Sequence, residues 1–178
     1  MASIVVAGMV NAAAFTWSTN ISSSMGPLYV AGGSTTLASG TAYLFDSLAL
    51  SQQDVLDAFV AGSFSDLSSL DNSDISSGKI AAKSASPVIY GDGATTLSAF
   101  LAVVNEDQIF ISDIVSAAGL ATGTKGLSFK TTEASKLEVM DARDGYSTSG
   151  WYQTVPEPTS GLLMLLGMAG LALRRRRA

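Results

Sequence analysis

Thirteen uncharged residues, Gly161–Leu173, run directly into four arginines, Arg174, Arg175, Arg176 and Arg177. A run of that kind, with fixed positive charge at one end, suits a bilayer rather than a protein core. As a helix it rises about 1.5 Å per residue and reaches about 20 Å, against a hydrocarbon core of about 30 Å. Thr159, Ser160 and arginine side chains reaching for the headgroups lengthen it, at some mismatch. The arginines resist translocation, so the preceding Val155-Pro156-Glu157-Pro158 lies at the outer face. Two prolines fix φ on either side of Glu157, giving a stiff, extended segment that presents its carboxylate. A plain anchor that is never cut is the competing reading.

The other end reads as an export signal. Ile4–Val10 is apolar, and Ala12-Ala13-Ala14 follows in the small-x-small arrangement that a signal peptidase accepts. Ala12 and Ala14 are the expected recognition positions, with cleavage before Phe15. No Lys or Arg precedes the apolar run, so either the start lies upstream or the signal is weak. A buried N-terminal strand is the alternative for these residues. The expected organisation is a signal peptide over 1–14, an exported domain over 15–154 and a tail over 155–178.

Charge narrows what the domain can bind. Away from the tail, six Lys/Arg stand against fourteen Asp/Glu. Such a surface repels phosphates, which argues against nucleic-acid binding. The chain has no Cys and no His. Disulfides, thiol nucleophiles and imidazole general bases are therefore excluded, and so is the commonest transition-metal ligand. No cofactor is expected. Carboxylate-pair and Ser-Lys chemistry stay open.

The middle reads as one β-rich α+β domain, mostly antiparallel, with at least one helix; the tail adds a C-terminal membrane helix. Residues 41–50 read as a strand. Residues 51–62 read as a helix capped by Ser51 with Asp54 three positions on, closed by Gly62, with Val55, Leu56, Phe59 and Val60 facing a core. Residues 63–79 read as a polar loop. Residues 86–114 read as extended chain, with a turn at Gly91-Asp92-Gly93 and a hairpin about Asn105-Glu106-Asp107. Residues 126–132 and 149–154 read as strands, and 133–145 as a short helix or a strand.

Chemistry in the middle is thin. Asp66, Asp71 and Asp74 could offer oxygens to Ca²⁺ but lack the spacing of a dedicated calcium loop, so a solvated loop is favoured. Asp141, Asp144 and Gly145 mark a small polar site or a charged turn, and the turn is favoured. Trp17, Trp151 and Tyr152 could stack on sugars, although core aromatics are the default. Fourteen acids will place some pair at a glycosidase separation by chance, so that signal means nothing without a structure.

The tail carries the specific signal. Pro156-Glu157-Pro158, the apolar Gly161–Leu173 and Arg174–Arg177 occur in order and close together, and resemble the PEP-CTERM sorting signal of exported proteins in certain Gram-negative bacteria. The resemblance implies a membrane peptidase, an exosortase, that recognises Pro156, Glu157 and Pro158 and removes the segment behind them. It implies arginines that stop and orient the tail. It also implies transient residence in the inner membrane, then release or attachment at the cell surface, typically in bacteria that make exopolysaccharide. The expectation is a non-enzymatic surface or extracellular-matrix protein that meets a signal peptidase and an exosortase. The alternatives are a secreted carbohydrate-active enzyme using two carboxylates and a calcium- or glycan-binding module.

Overall fold

The run Ala99–Val103 is apolar at every position, so a strand there needs cover on both faces rather than one. A computed structural model describes residues 15–19, 27–80, 83–84, 96–118 and 125–154, and in it this run forms the centre of strand β5, Thr96–Asn105. Its neighbours are β2 (Ser39–Asp46) on one side, and β6 (Gln108–Ile111) and β7 (Val115–Ala118) in succession on the other. The sheet extends through β3 (Asp71–Ser76) beyond β2, and through β10 (Gly150–Gln153) and β9 (Met140–Asp141) beyond β6. A smaller sheet orders β4 (Lys83–Ser84), β1 (Phe15–Ser18) and β8 (Lys125–Ser128).

Alternation along β5 assigns each face its cover. Leu97, Ala99, Leu101 and Val103 cluster with Phe110 and Trp151 against Phe15, Trp17 and Leu127 of the smaller sheet. Phe100 and Ala102 cluster with Phe45, Ile109, Ile111 and Tyr152 against Val55 and Leu56 of helix α1, Gln52–Val60. The result is three layers, helix on sheet on sheet.

Helix α1 starts and stops where its sequence directs. Ser51 Oγ accepts the Asp54 N–H at 3.1 Å, and the Asp54 carboxylate accepts the Ser51 N–H at 2.9 Å. The Ser51 hydroxyl also donates to the Asp54 carboxylate at 2.7 Å, and this bond, followed by that from the Ser51 N–H, holds the Asp54 carboxyl below its ordinary value. Gly62, at φ +73°, takes the left-handed conformation past the last turn. Val55 and Leu56 are buried and Phe59 packs beside them, but Val60 is 39% exposed. The apolar stripe is therefore narrower than its spacing suggests.

The expected β-rich domain with few helices is observed, but its sheets are mixed. Pairs β1–β8 and β9–β10 are parallel, and the other six pairings are antiparallel. The hairpin falls where its sequence places it, with Asn105 opposite Gln108 and Glu106 at φ +54°. The expected polar loop over 63–79 is corrected, because Asp71–Ser76 pairs with β2 as an edge strand. Asn72 and Asp74 point to solvent while Ile75 is buried, an alternation that dense Ser and Asp conceal; outward charge also blunts a sheet edge. The strand over 41–50 stops at Asp46. Residues 126–132 divide between β8 and helix α2, Thr132–Ser135. The stretch 133–145 holds the rest of α2, β9 and a 3-10 turn, Ala142–Asp144. Among the described residues no helix is long and apolar enough to cross a membrane. The tail expected to do so lies outside them, as do the signal peptide and the Gly91–Gly93 turn.

Burial on both faces of β5 sets a stability order for the folded part of the chain. Leu101→Ala should lower its unfolding free energy by about 2–5 kcal/mol. Ser51→Ala should lower it by about 1 kcal/mol, and Val60→Ala by about 0.5 kcal/mol or less. Urea titrations read at a common m-value check the order, and a Val60 effect equal to that of Leu101 would reject the packing.

Candidate functional site: the exit of the tail and a bulge recess

Strand β10 is fixed from both faces before the chain leaves it. Trp151 turns toward the smaller sheet, packs edge-on against Phe110 with centroids 5.6 Å apart, and donates its indole N–H to the Tyr29 carbonyl at 3.0 Å. Tyr152 turns the other way. Its hydroxyl accepts the Ser147 and Thr148 N–H groups at 3.1 Å each and donates to the Thr148 carbonyl at 2.6 Å. At the strand end, Gln153 lies between Gln108 and Asp141. Its amide NH₂ donates to the Asp107 carboxylate, and its carbonyl oxygen accepts from Gln108 Nε2 at 3.3 Å. The described chain stops one residue later, at Thr154, and the Pro156-Glu157-Pro158 segment follows with only Val155 between.

Residues 154–177 match the model of the PEP-CTERM protein-sorting motif. The chain carries a PEP-CTERM sorting motif. Its boundary coincides with the end of β10, so sheet and signal meet with no linker. The motif implies export by way of the membrane toward the cell surface and processing by an exosortase. No curated protein and no solved structure matches the chain. Pro156, Glu157, Pro158 and Arg174–Arg177 fall inside the matched span. They lie outside the described residues, as do Ala12 and Ala14.

Within the domain, a second feature interrupts the sheet. Ala102 opposes Ile111, yet Ala99 opposes Val115, so one extra residue is accommodated between β6 and β7. Ser112 bridges this bulge, where its Oγ accepts the Leu101 N–H at 2.9 Å and donates to the Asp113 carbonyl at 2.9 Å. A recess of about 280 Å³ opens there, lined by Ser112–Val115 and Ser128–Lys130. Asp113, in the link between β6 and β7, and Lys130, just past the end of β8, both line it. Bulges re-aim side chains in this way. The sequence signal was slight, a polar Ser112-Asp113 after Gln108–Ile111, and spacing gave no hint that residue 130 lay near.

The bulge is tied to α1. Gln52 Nε2 donates to the Ser112 carbonyl at 2.6 Å and to the Tyr146 hydroxyl at 2.7 Å, while Gln53 Oε1 accepts the Tyr146 N–H at 2.7 Å. Burial pushes the Tyr146 phenol well above its ordinary value, and the charge of Asp113 and the neighbouring Tyr152 push the same way.

The structure separates the other candidates. Trp17, Trp151 and Tyr152 are fully buried and offer no face to a sugar. The Trp17 indole donates to the Asp71 carboxylate at 2.8 Å, so Asp71 serves the packing between sheets. Asp66 sits in a 3-10 turn and Asp74 on the outward face of β3, so a turn and a strand stand where a solvated loop was favoured over a calcium loop. Among the described residues no three potential metal-ligating side chains gather. Asp141 caps the turn Ala142–Asp144 by accepting the Arg143 N–H at 2.9 Å, which is the charged-turn reading.

Tyr146 makes the alkaline limb of stability testable. Below the ordinary tyrosine value of 10.0 both states keep the proton and its contribution is fully present. Above it the unfolded chain ionises first, so stability falls toward the raised folded value. Tyr146→Phe should make denaturation midpoints decline less steeply above that pH than in the parent, and parallel declines would contradict the assignment.

Proposed function

We infer that the protein is an exported surface or extracellular-matrix component with no catalytic role, delivered by its tail and cut by an exosortase. One observation carries the reading: the sorting motif over 154–177 begins where the last strand of the folded domain ends. The domain is thus presented whole, immediately outside the membrane, as cargo. On this reading a signal peptidase acts after Ala14 and the inner membrane holds the precursor transiently. Exopolysaccharide is the proposed surrounding of the released or attached product. Pro156, Glu157 and Pro158 serve as recognition residues, and the apolar run with Arg174–Arg177 holds the segment in place.

Two further facts support a cargo role. Trp17, Trp151 and Tyr152, the aromatics proposed for stacking on a glycan, are buried in the core. The chain also supplies no imidazole or thiol, leaving carboxylates as the main acid–base groups. The acidic surface favours solubility and cation attraction over nucleic acid.

Glu157→Ala should leave export intact and block processing, so that uncut protein accumulates in the inner membrane of the host. Intact-mass analysis of the fractions checks it. Trimmed product from the variant, or from a host lacking its exosortase, would turn the tail into a simple anchor. A screen over peptides, esters and common glycans should find no turnover. Hydrolysis abolished by one Asp→Asn or Glu→Gln change would replace the cargo role with a carboxylate-pair enzyme.

A further inference from the structure

We propose that the end of the large sheet formed by the β5–β6 turn and the terminus of β10 is a contact surface for the exosortase, engaged together with the Pro-Glu-Pro segment. This rests on the tail reading above and adds to it a face of the folded domain. Chain length sets the distance between the two. Gln153 is held in the sheet by pairing to Gln108 and Asp141 and by its side-chain bonds to Asp107 and Gln108. Pro156 lies three residues further on, and a chain spans at most about 3.6 Å per residue, so the two are within about 11 Å. A peptidase gripping Pro156–Pro158 therefore has the sheet end against its outer surface. It cannot hold the motif and stand clear of the domain.

The register says which residues meet it. Asn105 pairs with Gln108 and Gln108 with Gln153, so the exposed Glu106 and Asp107 project beside the exit. The turn Ser76–Lys79 closes the same end, because Ser76 pairs with Ser39 at the start of β2. None of the exposed large apolar side chains (Val30, Leu48, Val60, Ile114, Leu137, Val139) belongs to these strand ends. The surface therefore suits a polar, water-facing rim of a membrane enzyme rather than its lipid-embedded wall. Leu48 marks the opposite end, since it follows Ser47, whose N–H donates to the Ser98 carbonyl at 2.9 Å. From Ser98 to Asn105 the strand advances about 24 Å at about 3.4 Å per residue.

The parent chain has no cysteine, so single thiols can be placed without background. Full-length Glu106→Cys and Leu48→Cys, each carrying a short photo-crosslinker, are expressed with the exosortase, and adducts are read alongside processing. Position 106 should yield the exosortase adduct and position 48 should not. An insert of about eight Gly/Ser residues after Thr154 should lower the adduct from 106 about sevenfold, since effective concentration falls roughly as the −3/2 power of tether length. Equal adducts from both positions, or a yield from 106 that the insert leaves unchanged, would overturn the contact surface while Glu157→Ala still blocks processing. If Glu157→Ala is trimmed like the parent, the tail reading has failed and takes the contact surface with it.

Discussion

Strand β5 leaves no face for water, and the rest of the domain is arranged to meet that demand. A strand apolar on one side can end a structure; one apolar on both must lie inside it. The smaller sheet covers the face of Leu101, and α1 covers the face of Phe100. Each cover is then pinned by polar bonds that reach across layers. The Trp17 indole reaches Asp71 on one side, and Gln52 reaches the Ser112 carbonyl on the other. Those bonds contribute about 1 kcal/mol each and fix which way the layers sit rather than whether they form.

What could be read from the sequence followed from how local each signal was. The helix at Ser51, the Asn105–Gln108 hairpin and the last strand at Trp151 are written in consecutive residues: a cap, a turn and alternation. Edge strand β3 was hidden because an edge needs only one apolar side chain, Ile75, and its outward positions carry the Ser and Asp of a loop. The parallel pairing of Phe15–Ser18 with Lys125–Ser128 joins segments a hundred residues apart, and no local pattern encodes it. The bulge is another such case. Its extra residue appears only when the registers of β6 and β7 against β5 are compared. The sorting motif, by contrast, was legible, because it consists in the order of residues along the chain and needs no fold.

That difference separates two kinds of function within one chain. The tail carries a motif recognised by residue order alone, and so it is legible without a fold. The described middle works as a solid body whose tryptophans point inward and whose acids are spread over turns, an edge strand and a helix cap. Asp141 caps a helical turn and Asp71 ties two sheets together, so two of the acids weighed as site residues are structural, as Asp54 is at its helix cap.

The junction between the two parts constrains where the chain can be cut. Strand β10 contributes Trp151 to one face of the sheet and Tyr152 to the other, and it seats between β6 and β9. A break before Trp151 would remove three paired residues of that strand and both rings with them. A break beyond Thr154 removes nothing that the sheet uses. The fold therefore tolerates cutting only beyond its last strand, which is where the sorting motif begins. Removal of the motif leaves every described strand paired.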